Sequence, residues 1–228
     1  MNILIFGPNG SGKGTQSRAL MEKFGLEHIE SGGIFREQIK NKTDLGKKAI
    51  EFIDLGELVP DSITIPMVLD RLRSVSSSGK RWILDGFPRN PSQSRALFYG
   101  LMEADLPLGA VITIDLSRET SKARLMGRRT CREGHPNNTA IEPIAPVNKE
   151  GKLVCWKCGT EVSVRSDDID EHAIDVRLDI YFDEENGTLG GIKALEELAK
   201  ESEEILFIHV DGASDIKTVT NNINSAMG

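Results

Sequence analysis

Residues 3–15 read Ile-Leu-Ile-Phe-Gly-Pro-Asn-Gly-Ser-Gly-Lys-Gly-Thr, an apolar run followed by a glycine-rich loop and the start of a helical segment. The spacing from Gly7 to Gly12 and Lys13 fits a phosphate-binding loop (P-loop). Glycines let backbone N–H groups turn inward around phosphate oxygens, the helix N-terminus adds its positive end, and Lys13 supplies a point charge. Such a loop has to be carried between a strand and a helix, so the chain is committed to α/β architecture from its first fifteen residues. One departure stands out: Gly14 follows Lys13 where a Ser or Thr usually binds Mg²⁺, with Thr15 one place later.

Short apolar runs recur at Asn2–Phe6, 82–84, 110–116 and 205–210, each beside a segment of helical spacing. This alternation predicts a P-loop three-layer fold, a parallel sheet covered by helices. Helices are expected over Lys13–Phe24, 61–75, Pro91–Glu103, Arg118–Gly127, 167–182, 189–201 and 214–226, with Asp61 and Ser214 as N-caps. Two stretches break the rhythm. Residues 31–59 hold helical pieces without a convincing strand and read as a helical insertion. Residues 128–165 contain Pro136, Pro143, Pro146 and all three cysteines, and are too irregular to bury an apolar core of their own.

That second stretch carries its own chemistry. Cys131-x3-His135 and Cys155-x2-Cys158 are separated by nineteen residues, and three sulfur ligands with one nitrogen suit a closed tetrahedral structural site, most naturally for Zn²⁺. Three clustered cysteines cannot all pair within one chain, so metal is favoured over disulfide. A redox role for Cys155-x2-Cys158 is disfavoured because no helix obviously starts there to lower a thiol pKa. The metal would staple a segment poor in apolar residues.

The charge balance is acidic, with 35 Asp+Glu against 28 Lys+Arg, which argues against a protein that coats nucleic acid or an anionic membrane. No segment has the apolar length of a membrane span and the N-terminus has no signal pattern, so the expected compartment is the cytoplasm.

Further motifs follow in order: Gly12-Lys13-Gly14-Thr15-Gln16, Ser31-Gly32-Gly33-Ile34-Phe35-Arg36, Gly56-Glu57-Leu58-Val59-Pro60-Asp61, Leu84-Asp85-Gly86-Phe87-Pro88-Arg89, Gly127-Arg128-Arg129, Arg165-Ser166-Asp167-Asp168 and Arg177-Leu178. In order and spacing the chain resembles, over nearly its whole length, the long-lid adenylate kinases of the nucleoside monophosphate kinase family. The resemblance implies a Mg²⁺-dependent transfer of phosphoryl between ATP and AMP, giving ADP, in a monomer. It implies a core of residues 1–30, 60–127 and 166–228, an NMP-binding insertion over 31–59 and a metal-stapled lid over 128–165 that closes over the nucleotides.

Residue roles are carried over on the matching positions. Gly10, Ser11, Gly12, Lys13, Gly14 and Thr15 would hold ATP phosphates, with Arg124 over the ATP adenine and the backbone at 212–214, ending in Ser214, beside it. Arg36 and Arg89 would hold the AMP phosphate, while Arg128, Arg165 and Arg177 close around the transferring group and Asp85 holds water on Mg²⁺. Ser31, the backbone at Glu57, Leu58 and Val59, the turn Gly86, Phe87, Pro88 and the amide of Gln93 would surround AMP. The catalytic set is therefore Lys13, Asp85, Arg89, Arg128, Arg165 and Arg177. The chain departs from the pattern at Ser31 for a usual Thr, at Gly33 for a usual Asp, at His135 where the lid usually has Cys, and by one extra residue between Asp168 and Arg177. Asp167 and Asp168 are read as lid-to-core contacts or as caps of the next helix, and His28, His172 and His209 as ordinary strand or helix residues.

Rival readings are weaker. Asn41-Lys42-Thr43-Asp44 matches the guanine-reading motif of GTPases, but it follows a polar helical run rather than an apolar strand and is expected to join two helices, with Asp44 as a cap. A UMP/CMP or GTP-preferring kinase is the alternative within the family. A zinc-ribbon nucleic-acid binder is opposed by the acidic balance and the lack of stacking aromatics.

Overall fold

A strand with helices on both sides must be apolar along its length, and β1 (Asn2–Phe6) is buried at all five positions. The computed structural model of the protein describes residues 1–53, 59–165, 168–200 and 205–228. β1 lies at the centre of a five-stranded parallel sheet with β2 (Leu26–Glu30), β3 (Arg81–Asp85), β4 (Leu108–Asp115) and β10 (Leu206–Asp211), in the order β10-β4-β1-β3-β2. Its side chains alternate between two cores. Leu4 and Phe6 pack with Trp82, Leu84 and Val111 under α4 (Asp61–Ser77), α5 (Pro91–Glu103) and α8 (Thr188–Leu198). Ile3 and Ile5 pack with Ile83, Ile112 and Ile114 under α1 (Lys13–Phe24) and α9 (Ile216–Met227). This is the three-layer α/β fold that the alternation predicts.

β2 is the strand the sequence reading does not anticipate. It forms an edge, and only Leu26 and Ile29 are buried, so neither an apolar run nor a period of two marks it. The expected insertion contains α2 (Ser31–Lys40) and α3 (Asp44–Ile53), joined by Asn41-Lys42-Thr43 as expected of a helix-helix connection. The two helices cross closely, since a Cβ at Gly46 would lie 2.4 Å from Gln38 O. Phe35, Ala49 and Val59 form a small core there.

Between α6 (Arg118–Gly127) and α7 (Glu171–Phe182), β5 (Arg128–Cys131), β6 (Pro136–Asn138) and β9 (Val162–Ser163) form a three-stranded antiparallel sheet. β7 (Val147–Lys149) pairs with β8 (Lys152–Val154) as a hairpin. Strands of two to four residues are too short to show a period, which is why this stretch reads as irregular.

Three expected caps move. The N-cap position of α4 is Pro60, not Asp61; Thr43 Oγ1, not Asp44, accepts from Gly46 N at the start of α3; and Asp215, not Ser214, accepts from Lys217 N and Thr218 N at α9. α7 starts at Glu171 with Asp170 as its cap, later than expected. α8 presses on α5: Ser94 Oγ donates to Gly191 O at 2.8 Å, and a Cβ at Gly191 would lie 3.0 Å from Asn90 O. Among the described residues no helix is long and apolar enough to cross a membrane.

Candidate functional site

The carboxyl ends of parallel strands are where an open α/β sheet leaves its crevice. Here they deliver the P-loop after β1, Ser31 after β2, Asp85 to Arg89 at the end of β3 and 212–214 after β10, with Arg124, Arg128 and Arg177 supplied by α6, β5 and α7. After β1 the chain turns at Gly10 (φ 92°) and Gly12 (φ 98°), both left-handed, and Gly12 is the N-cap of α1. A Cβ at Gly10 would lie 2.9 Å from Ser121 O, whereas one at Gly12 or Gly14 would meet nothing within 4 Å, so the loop is tight behind and open in front. Ser11 Oγ is buried within this loop with no partner, an orphaned polar atom of the kind a phosphate oxygen would satisfy. Lys13 folds across the loop, its Nζ donating to Gly7 O at 2.6 Å and Pro8 O at 3.2 Å.

Cations from several elements face this loop. Burial holds the Lys13 ammonium below its usual range, with Asp85 opposing the shift and Arg89 and Arg128 adding to it. Burial likewise lowers Arg89, again opposed by Asp85 and reinforced by Arg177. Lys13, Asp85, Arg89, Arg128 and Arg177 are therefore one electrostatic neighbourhood. Asp85 is 8% exposed at the end of β3, with Oδ2 3.9 Å from His28 Nε2.

Arg128 and Arg177 are held by one carboxylate. Asp168, its side chain fully buried, accepts from Arg128 Nε at 2.5 Å, Arg128 Nη2 at 2.7 Å and Arg177 Nη2 at 3.1 Å. Of the two roles left open for Asp168, the contact between β5 and α7 is the one observed, and capping falls to Asp170. The extra residue before Arg177 does not carry it away from the site. Arg165 O accepts from Asp168 N at 2.9 Å. On the other side, Arg124 Nη1 donates to Gly212 O at 2.8 Å, placing Arg124 against the segment that leads to Ser214.

The expected AMP-side residues fare differently. Arg36 is largely exposed and ion-paired with Glu30. Ser31 Oγ donates to Gly86 O at 2.7 Å, and Arg89 Nε donates to the same oxygen at 2.8 Å. Phe87 is 1% exposed in the main core and Pro88 is buried, so their side chains pack rather than face a ligand. Val59 packs against Phe35 and Ala49, and its carbonyl accepts from Thr64 Oγ1 at 3.1 Å. Glu57 and Leu58 lie outside the described residues, as do Ser166 and Asp167.

Gln93, expected beside AMP, is also engaged within the protein: at 2% exposure, Oε1 accepts from Arg89 N at 2.8 Å and Nε2 donates to Asp61 Oδ1 at 2.7 Å, which leaves one amide N–H and one oxygen lone pair. Asn90 Nδ2 also donates to Asp61, and Asn90 Oδ1 caps Gln93 N at 2.8 Å. The network fixes the backbone that carries Arg89. The sequence reading missed this support, and also Glu30 and Asn137; Asp61 and Asn90, each at a helix start, were the available signal.

The four expected metal ligands converge. Cys131 Sγ and Cys155 Sγ lie 3.7 and 3.8 Å from His135 Nδ1, and Cys158 Sγ is 3.9 Å from Cys131 Sγ. All four ligand atoms fall within 4.8 Å of one another. A tetrahedron with ordinary Zn–S and Zn–N lengths has edges of about 3.6–3.8 Å, so the donor set fits such an ion. Burial raises the Cys131 thiol. At Cys155 burial also pushes upward, but the N–H groups of Cys158 and Lys157 and the Asn137 amide outweigh it and lower the thiol to about 6. The lowering comes from a turn and not from a helix start, and it favours the deprotonated sulfur that a metal ligand requires.

A family model described as adenylate kinase matches residues 5–208 of this chain. An adenylate kinase of Desulfosudis oleivorans is 50% identical over the full length of both chains. Those of Desulforapulum autotrophicum and Desulfovibrio desulfuricans are 46% and 48% identical, again over all of each chain.

Proposed function

The chain belongs to the adenylate kinase family, and from that premise we propose how its own residues carry out the reaction. It is a phosphotransferase that interconverts ATP and AMP with two ADP. The observation that carries the residue assignments is the electrostatic coupling of Lys13 to Asp85, Arg89 and Arg128, and of Arg89 to Asp85 and Arg177, together with the tie of Arg128 and Arg177 to one carboxylate, Asp168. Phosphoryl transfer calls for positioning and charge neutralisation more than covalent chemistry, and fixed cations at a partly desolvated site supply both.

Gly10 to Thr15 and Lys13 take the ATP phosphates, with Arg124 beside the ATP adenine. Arg36 and Arg89 take the AMP phosphate, and Arg128, Arg165 and Arg177 close on the group in flight. Mg²⁺ accompanies ATP and neutralises its phosphate charge; Asp85, a buried carboxylate at the loop's mouth, and Thr15 are the oxygen donors placed to orient its water shell. Residues 31–59 act as the NMP-binding insertion and 128–165 as the lid, with 1–30, 60–127 and 166–228 as the frame on which both move. Closure excludes water from the transferring group. Zn²⁺ is the ion assigned to the lid, on its three sulfur donors and one nitrogen donor, and a cytoplasmic monomer is the working form.

A coupled assay with ATP and each of AMP, UMP, CMP and GMP tests the reading. The expected result is turnover with a clear kcat/KM preference for AMP. Comparable turnover with UMP or CMP would remove it. The Gln93 network gives a second expectation. Gln93→Ala leaves the buried Arg89 N–H unpaired, at a cost of about 1–3 kcal/mol, and loosens the turn that aims Arg89. Initial rates should show KM for AMP rising more than KM for ATP, alongside a lower Tm; equal losses for both substrates would point to a general folding defect.

A further inference from the structure

Glu30 ends β2 and occupies the N-cap position of α2, where a carboxylate ordinarily accepts from the first free N–H groups of the helix. It makes no such bond. Its side chain lies over Gly32 and Gly33 and is ion-paired with Arg36 Nη2. A Cβ at Gly32 would lie 3.1 Å from Arg36 Nη1, and one at Gly33 would lie 3.6 Å from Glu30 Oε2 and 3.8 Å from Arg36 Nη2. Gly32 thus leaves space that the Arg36 guanidinium fills, while a side chain at position 33 would reach the pair in ordinary contact. Glu30 also sits level with Asp85 in the register of β2 and β3, and its charge acts on Lys13 and Arg89 as well as on Arg36.

We propose that Glu30 is a built-in counter-anion of the AMP-phosphate subsite: in the unliganded chain its carboxylate holds Arg36, and the phosphate of AMP has to displace it. This rests on reading Arg36 and Arg89 as ligands of that phosphate. An incoming dianion meets an arginine already neutralised and a carboxylate of its own sign, so AMP affinity is set lower than the cations alone would give. ATP phosphates, held at the P-loop, meet Glu30 only through the smallest of the charge effects on Lys13 and not through a direct ion pair.

The pair is partly exposed, with side-chain exposures of 55% for Arg36 and 39% for Glu30, so the effect is that of a screened ion pair. Glu30→Gln is expected to lower the Kd for AMP about two- to fivefold. Equilibrium titration with AMP alone measures this, and initial rates should show KM for AMP falling while KM for ATP and kcat hold. Gly33→Asp in the Glu30→Gln background returns a carboxylate beside the same guanidinium and should restore the parental Kd. In an Arg36→Ala background, Glu30→Gln should no longer tighten AMP binding, since the cycle isolates the pair. An unchanged or raised Kd for AMP in Glu30→Gln, or equal shifts for ATP and AMP, overturns the counter-anion. Failure of the subsite reading shows separately, as an Arg36→Ala chain that binds AMP as tightly as the parent.

Discussion

Arg89→Ala and Lys13→Ala are each expected to lower kcat by about 10²–10³-fold, the range for losing a preorganised electrostatic group. The fold should survive both. Gly86 O, which accepts from Arg89 Nε, keeps its bond from Ser31 Oγ at 2.7 Å, and Pro8 O, which accepts from Lys13 Nζ, keeps its bond from Ser11 N at 3.0 Å. Neither of those two acceptors is orphaned, but Lys13→Ala also removes the 2.6 Å bond to Gly7 O, so it is expected to cost about 1–3 kcal/mol of stability that Arg89→Ala avoids. Initial rates with saturating ATP and AMP, together with thermal unfolding of the same samples, check the pair. Near-normal turnover in folded Arg89→Ala would remove Arg89 from the site.

Stripping the lid metal should have the largest effect on stability. A structural zinc ion contributes about 10–16 kcal/mol to the folding of small zinc-finger peptides, and the 128–165 segment buries few apolar side chains: Ile144, Val154 and the two cysteines Cys131 and Cys155. About one ion per chain is expected. Chelation or Cys155→Ser should lower the first melting transition, while the β-sheet core melts near its original temperature. His135→Ala should lower metal content, and Asn137→Ala, which removes the amide donated to Cys155 Sγ at 3.4 Å, should weaken metal affinity about 10–100-fold. Below the lid's melting point, activity should fall less than stability, because Arg128 sits at the start of β5 and is anchored by Asp168 rather than by the metal ligands. Loss of turnover at low temperature with the lid still ordered would make the ion catalytic instead.

Legibility followed the strength of each local signal. The P-loop and β1, β3 and β4 could be read because burial on both faces forces continuous apolar runs, and β10 because its edge run 205–210 is apolar except at His209. β2 could not, since an edge strand with Glu27, His28 and Glu30 carries no such run. Metal ligands are legible because spacing and residue type suffice to define them, and the four converge. The protein partners of Gln93 were not legible, for the opposite reason. An amide's use depends on which groups lie opposite it, and Asp61, thirty-two residues away, decides that. Glu30 was invisible too: nothing in Glu-Ser-Gly-Gly says that the carboxylate will forgo a helix cap for Arg36.

The contact of Gly191 with α5 bears on how substitutions in such a chain will be tolerated. Gly191 lies against Asn90 O, Asn90 orients Asp61 and Gln93, and Gln93 holds the backbone of Arg89. A glycine that packs against α5 and accepts from Ser94 Oγ is thereby wired to Arg89, the arginine proposed to bind AMP, more than a hundred positions earlier in the chain. Comparative mutational scanning that scores abundance and activity separately would then find position 191 intolerant in both. Nearby exposed positions of the same helix, such as Lys193, should vary freely.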